Sequence, residues 1–165
     1  EGTSALMLAA YNSNKEVVQY LINHEANIDD QDSQGHTALM QAIFQNNLDI
    51  IKCLVDKGAN IDLRDSIDNK TALVYSSEKG FLSALQYLVE HGANVNDSDI
   101  LSCSTLMYAI LGNYEEIVHY LVDHEVNIHA KNSKGYTALT FAAQNGNLNL
   151  VKYLISKGAN TNDKD

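Results

Sequence analysis

The stretch Gly35-His36-Thr37-Ala38-Leu39-Met40-Gln41-Ala42-Ile43-Phe44, continued through Gln45-Asn46-Asn47-Leu48-Asp49-Ile50-Ile51-Lys52-Cys53-Leu54-Val55-Asp56-Lys57 to Gly58-Ala59-Asn60-Ile61-Asp62, decides the fold. It reads as turn, short helix, turn, longer helix and polar return. Thr37 has the chemistry of an N-cap, a side-chain oxygen that accepts a backbone N–H of the first turn. Asn46 suits a positive φ between two helices. Ile50, Ile51, Leu54 and Val55 lay an apolar stripe along the second helix, and Gly58 follows as its left-handed end. A unit this small cannot bury its own apolar face, so it must stack on copies of itself.

The copies are present. Ser4, Thr37, Thr71, Ser104 and Thr137 recur at spacings of 33, 34, 33 and 33 residues. In phase with them come Leu6, Leu39, Leu73, Leu106 and Leu139, then a small residue at Ala9, Ala42, Ser76, Ala109 and Ala142. The inter-helix position is Ser13, Asn46, Gly80, Asn113 and Gly146, each expected at positive φ. The apolar pair Leu21-Ile22 recurs as Leu54-Val55, Leu88-Val89, Leu121-Val122 and Leu154-Ile155. The chain thus divides into units at 1–31, 32–64, 65–98, 99–131 and 132–164, one domain over 1–165, with one inserted residue within Ser66–Lys70.

Composition narrows the function. The 165 residues are 45% hydrophobic and carry a net charge of −10. That excess of carboxylates opposes nucleic-acid binding, which needs basic patches, and opposes adsorption to anionic lipid. No apolar run approaches the ~18 residues that span a bilayer, so direct membrane insertion is not expected. Cys53 and Cys103 fall on opposite sides of the unit, which argues against a disulfide and for a reducing compartment. The expected location is cytoplasmic, with the nucleus also compatible.

The pattern resembles the ankyrin repeat. Its T-P-L-H motif stands here as Thr37-Ala38-Leu39-Met40 and Thr137-Ala138-Leu139-Thr140, and its G-A-x-x-N ending as Gly92-Ala93-Asn94-Val95-Asn96 and Gly158-Ala159-Asn160-Thr161-Asn162. The resemblance implies an all-α solenoid of stacked helix-turn-helix units with protruding hairpin turns, curved so that turns and first helices line a concave face that binds other proteins. The departures carry expectations too. Ala5, Ala38, Ala72, Thr105 and Ala138 replace the motif's proline, and Met7, Met40, Val74, Met107 and Thr140 replace its histidine, so that histidine's hydrogen bonds are lost or replaced. Glu25 and Glu125 stand where other units end a helix in glycine, which weakens units one and four by about 1 kcal/mol at positive φ or ends those helices differently. Ser76 and Ser77 replace an Ala pair, and their hydroxyls are expected to bond the carbonyl one turn back.

Catalytic chemistry finds no foothold. All six histidines read as solvated surface, with His24, His91 and His124 at one repeat position and too far apart to share a metal. Cys103 reads as an exposed turn thiol without a histidine or acid partner, and the glycines are spaced for helix ends rather than for phosphate. Neither enzyme activity nor a cofactor is expected. Tyr20, Tyr87, Tyr120 and Tyr153 form a ladder on the second helices, read as packing with hydroxyls reaching water.

The turns and the outer side of the first helices are read as free of packing duty, and their apolar residues as partner contacts: Tyr11, Phe44, Ile67, Ile100, Leu101, Leu111 and Tyr136. Ile100, Leu101, Leu111 and Tyr136 are expected to form one patch that Phe44 extends. Arg64, Lys70, Lys131 and Lys134 among Asp32, Asp68, Glu78 and Asp99 read as its charged rim. The expected function is a non-catalytic protein-protein interaction module, monomeric as a segment, holding a partner on its concave surface. The alternative is a structural spacer or scaffold within a longer repeat protein attached to a channel or enzyme; exposure of Leu6, Ala9, Leu150 or Leu154 at an end face would favour it.

Overall fold

The computed structural model describes residues 2–162. The described residues form ten helices in five pairs: α1 (Ala5–Tyr11) with α2 (Lys15–Asn23), α3 (Ala38–Phe44) with α4 (Leu48–Asp56), α5 (Ala72–Lys79) with α6 (Leu82–Glu90), α7 (Thr105–Leu111) with α8 (Glu115–Asp123), and α9 (Ala138–Gln144) with α10 (Leu148–Ser156). The result is an all-α solenoid. Each first helix packs on its own second helix and on the next first helix, and these first-helix seams are tighter than those between second helices. The stack therefore curves with its first helices and hairpins on the inner side.

Local chemistry sets the helix starts. The side chains of Ser4, Thr37, Thr71, Ser104 and Thr137 each accept the N–H of the residue three further on, at 3.2–3.4 Å. In three units a substitute also takes the work of the motif's histidine. The Met7 and Met107 sulfurs accept the Ser4 and Ser104 N–H groups at 3.4 and 3.5 Å, and the Thr140 hydroxyl accepts that of Thr137 at 2.7 Å. All five inter-helix residues take positive φ, from 50° at Asn46 to 76° at Gly80. Glu25 and Glu125 also do so, at 64° and 61°, so their helices end as the glycine-terminated ones do, at the backbone cost expected of a non-glycine.

The core is a continuous row of repeat-register residues. Leu39, Ile43, Ile50, Ile51 and Leu54 are almost wholly buried, as are Leu73, Leu85, Leu88, Leu106, Ile117, Val118 and Leu121 in the next units. Leu6, Ala9, Leu150 and Leu154 are buried as well, within their own units. The end faces consist of other positions. Ala5 and Val17 are exposed at one end although their counterparts Ala38 and Ile50 are buried. Ala143 and Ile155 are exposed at the other, where Leu139 and Val151 are half-buried.

Ser76 bonds the Ala72 carbonyl one turn back at 2.8 Å, as expected, but Ser77 donates to the Thr105 carbonyl of the next unit at 2.6 Å. Place in the stack explains the difference: Ser77 is fully buried with its hydroxyl against the start of α7, and the Thr105 carbonyl has a second lone pair with which to accept it. The tyrosine ladder departs from expectation at Tyr120, whose hydroxyl is enclosed without a hydrogen-bond partner. Tyr87 donates its hydroxyl to Asp56 of α4. Tyr20, Tyr87 and Tyr120 each stack on the histidine one turn ahead, with ring centroids 3.9–4.0 Å apart. Those histidines, His24, His91 and His124, place Nδ1 2.7–2.8 Å from the tyrosine carbonyl, so Nδ1 carries the proton.

Candidate functional site

The inner face is built from the hairpins before α3, α5, α7 and α9, numbered two to five after their units. Each closes through a backbone bond, from Asp32 to His36, Asp65 to Lys70, Asp99 to Cys103 and Asn132 to Tyr136, at 2.9–3.2 Å. The first residue's side chain then caps the loop from within. Asp32 accepts the N–H groups of Gln34 and His36; Asp65 those of Ile67, Asp68 and Lys70; Asp99 those of Leu101 and Cys103; Asn132 those of Lys134 and Tyr136. Neighbouring hairpins are tied by further backbone bonds: Ser66 N–H to Gln34, Ile100 N–H to Asp68 and Ser133 N–H to Leu101, at 2.7–2.8 Å. Gly35 is needed for the first tie. A Cβ there would lie 2.5 Å from the Ser66 nitrogen, and its φ is +80°.

This wiring engages most of the expected rim charges and buries two of them, Lys70 and Asp99. Arg64 donates to the Asn69 and Ser98 carbonyls at 2.7 and 2.9 Å and pairs with Asp97. Gln31, one repeat earlier, does the same for Gly35 and Arg64. Asp32 and Asp99 are the loop caps just described. Lys70 is 6% exposed: its ammonium meets Glu78 at 3.1 Å and Asp68 at 3.5 Å, and lies 4.8 Å from the Tyr108 ring centre and 5.5 Å from that of Tyr75. Both tyrosine hydroxyls donate to hairpin caps, Tyr75 to Asp65 and Tyr108 to Asp99, at 3.0 and 2.7 Å. Burial, then the bond to an anion, raises the pKa of each phenol. Burial opposes the charge of Asp65, but the backbone donors of Asp68, Ile67 and Lys70 and the Tyr75 hydroxyl outweigh it, so its pKa is lowered.

In units two to five the position before the N-cap is packed rather than free. Lys70 occupies it in unit three. In unit two it holds His36, which is half-buried and meets the Phe44 ring edge-on at 5.2 Å, so this histidine is not solvated surface. In unit four it holds Cys103, which is 8% exposed; burial, then the nearby Asp99, pushes its thiol up to about 11. That corrects the reading of an exposed thiol: the turn is exposed, but this side chain points back toward α7. In unit five Tyr136 packs edge-on against Phe141, centroids 5.7 Å apart. Cys53 and Cys103 are both free thiols.

Of the seven apolar candidates, three come together. Leu101, Leu111 and Tyr136 line an open cleft of about 310 Å³ between hairpins four and five, with Tyr108, Phe141, Gln144 and Lys134. Leu101 and Leu111 are 55% and 43% exposed. Ile100 is 65% exposed beside it but is not part of its lining. Phe44 does not extend the cleft, being enclosed by His36 and by Tyr75, whose ring centre is 4.8 Å away. Ile67 and Tyr11 are exposed, on hairpin three and at the end of α1. Tyr108 and Phe141 were missed from the sequence because their shared position lies four residues beyond the N-cap, where relative order in the stack decides exposure.

Among the described residues no group of three or more His, Cys, Asp or Glu is placed to hold a metal ion, and no helix is long and apolar enough to cross a membrane. The model of ankyrin repeats in three copies matches residues 1–65 and 98–165, and that of the single ankyrin repeat matches residues 68–100. The chain belongs to the ankyrin-repeat family. Ankyrin repeats are generally protein–protein interaction modules and typically non-catalytic. A comparison with curated proteins found no match. In this ankyrin chain the hairpins and first helices present the cleft, Asp99 caps the hairpin on one side of it, and Arg64, Asp65 and Lys70 brace hairpin three.

Proposed function

We propose that this ankyrin array holds another protein on its inner face, without catalysis, and that the contact centres on the cleft between hairpins four and five. The observation that carries the reading is the cleft itself, which gathers exposed Leu101 and Leu111 with Tyr136 and Phe141. Two aliphatic side chains held open beside two aromatic rings make the kind of anchor pocket in which binding energy concentrates. The hydrogen-bonded hairpins pre-organise the pocket, which lowers the ordering cost of association. The exposed Tyr11 and Ile67 are further contacts along the same array. Leu101→Asp and Leu111→Asp test the reading, both at exposed positions that tolerate a charge. Each should abolish capture of the partner while the far-ultraviolet circular dichroism stays unchanged; an unchanged captured set from folded variants rules the cleft out.

The alternative of a spacer within a longer repeat array is not favoured by the residues that test it: Leu6, Ala9, Leu150 and Leu154 are all buried.

A further inference from the structure

We propose that the segment seated in the cleft between hairpins four and five is an acidic peptide carrying an aliphatic or aromatic anchor. The inference deepens the cleft reading above and depends on it. Its independent observation is the distribution of charge. Residues 1–125 hold nineteen carboxylates against six lysine and arginine side chains, a net charge of −13. Residues 126–162 hold four lysines and no Asp or Glu; with Asp163, Lys164 and Asp165 the segment 126–165 has a net charge of +3, so an acidic chain carries one basic segment.

The cleft straddles that boundary: Asp99, Leu101, Cys103, Tyr108 and Leu111 line it from the acidic side, and hairpin five with α9 lines it from the basic side. Two of the four lysines, Lys131 and Lys134, stand on exposed backbone at hairpin five. Among the lining residues only Asp99 and Lys134 bear charge, and the two are not equivalent. Asp99 is 8% exposed, with its oxygens taken by the Leu101 and Cys103 N–H groups and the Tyr108 hydroxyl. Lys134 is exposed at the rim. The charge an incoming segment meets is therefore positive, beside an apolar wall. Screening over ~8 Å at physiological salt keeps the remote carboxylates of units one and two from cancelling it. A polyphosphate chain would satisfy Lys134 but leave Leu101, Leu111 and Phe141 without apolar contact. A peptide with an acidic side chain flanking an apolar anchor uses both.

The test is selection of random twelve-residue peptides displayed against the whole chain, with affinities of the enriched peptides then measured for the wild type, Leu101→Asp, Leu111→Asp and Lys134→Glu. The expected pool has net negative charge and an apolar anchor. It loses at least about tenfold in affinity with either leucine variant and about three- to tenfold with Lys134→Glu, the latter loss shrinking as salt is raised. A pool that depends on Leu101 and Leu111 but is neutral or basic overturns the acidic partner and leaves the cleft reading standing. A pool indifferent to both leucines, or no enriched pool, overturns both. A fifteen-residue oligothymidylate that binds the wild type, displaces the enriched peptides and weakens with Lys134→Glu overturns the proposal in favour of nucleic acid.

Discussion

Replacing Asp99 by alanine removes the cap of hairpin four, and the structure sets the size of the effect. Three donors lose their acceptor: the N–H groups of Leu101 and Cys103 at 2.9 and 2.7 Å and the Tyr108 hydroxyl at 2.7 Å. The Leu101 amide lies at an exposed turn and can turn to water. The Cys103 amide and the Tyr108 hydroxyl sit at buried or half-buried residues, and each stranded donor costs about 1–3 kcal/mol, so Asp99→Ala should lose about 2–6 kcal/mol. Asp99→Asn is the control, because Asn132 already caps hairpin five with its amide oxygen, at 3.0 Å to both Lys134 and Tyr136 N–H. The asparagine variant keeps both backbone bonds and can donate its amide N–H to the Tyr108 oxygen, so it loses the charge assistance alone, about 1 kcal/mol. Urea unfolding followed by circular dichroism measures both. Amide exchange at Leu101 and Cys103 localises the effect, which matters because a repeat array can unfold unit by unit. Equal losses from the two variants, or a loss under about 1 kcal/mol from Asp99→Ala, would refute the capping argument.

Three more expectations concern stability. Glu125→Gly relieves a non-glycine at φ 61°, where a Cβ at the equivalent Gly58, Gly92 and Gly158 meets nothing within 4 Å; the strain is in the backbone, so the variant should gain about 0.5–1 kcal/mol in urea unfolding. Gly112→Ala would put a Cβ 2.1 Å from the Tyr114 ring, which the Gly80 backbone hems in from the other side; it should lose about 1–3 kcal/mol, and adding Tyr114→Asn, the residue found at positions 14, 47 and 147, should restore most of it. The pH dependence has opposite signs at its two ends. Cys103 is raised to about 11, and Tyr75 and Tyr108 are raised, so their neutral forms contribute stability that is full below about pH 8.5 and is lost as pH climbs through the folded values. Asp65 is lowered, so its contribution is full above about pH 4 and is lost as pH falls through its folded value. Urea midpoints across the range should therefore fall at both extremes, and Cys103→Ala should move the alkaline onset upward from about pH 9 toward pH 10.

The repeat period made the helices, N-caps and positive-φ positions legible, because each follows from one residue's local chemistry repeated in phase. Thr37 and Asn46 needed no neighbours to be understood. Packing between units was less legible. His36, Lys70, Cys103 and Tyr136 share one repeat position but differ in character, and that variability looked like freedom. The structure buries or half-buries all four, because the position before the N-cap lies against the first helices of its own and the adjoining unit. Variety there reflects a different local solution in each unit: an edge-on ring in unit two, a cation between tyrosines in unit three. The same reasoning explains the rim. Arg64 and Asp99 look like surface charges in a polar loop, yet a hairpin strip has more backbone donors and acceptors than its ladder can pair, and these side chains take up the remainder. Leu101 and Leu111 were legible as partner candidates because nothing in the repeat register asks for leucine there.

The most direct test of the cleft is a nuclear magnetic resonance titration of isotope-labelled chain with an enriched acidic peptide. Perturbations should centre on Leu101, Leu111, Tyr136 and Phe141, with Lys134 at their margin, and should vanish in Leu111→Asp. Perturbations centred instead on the outer helices α8 and α10, or unchanged in that variant, would contradict the placement of the binding site.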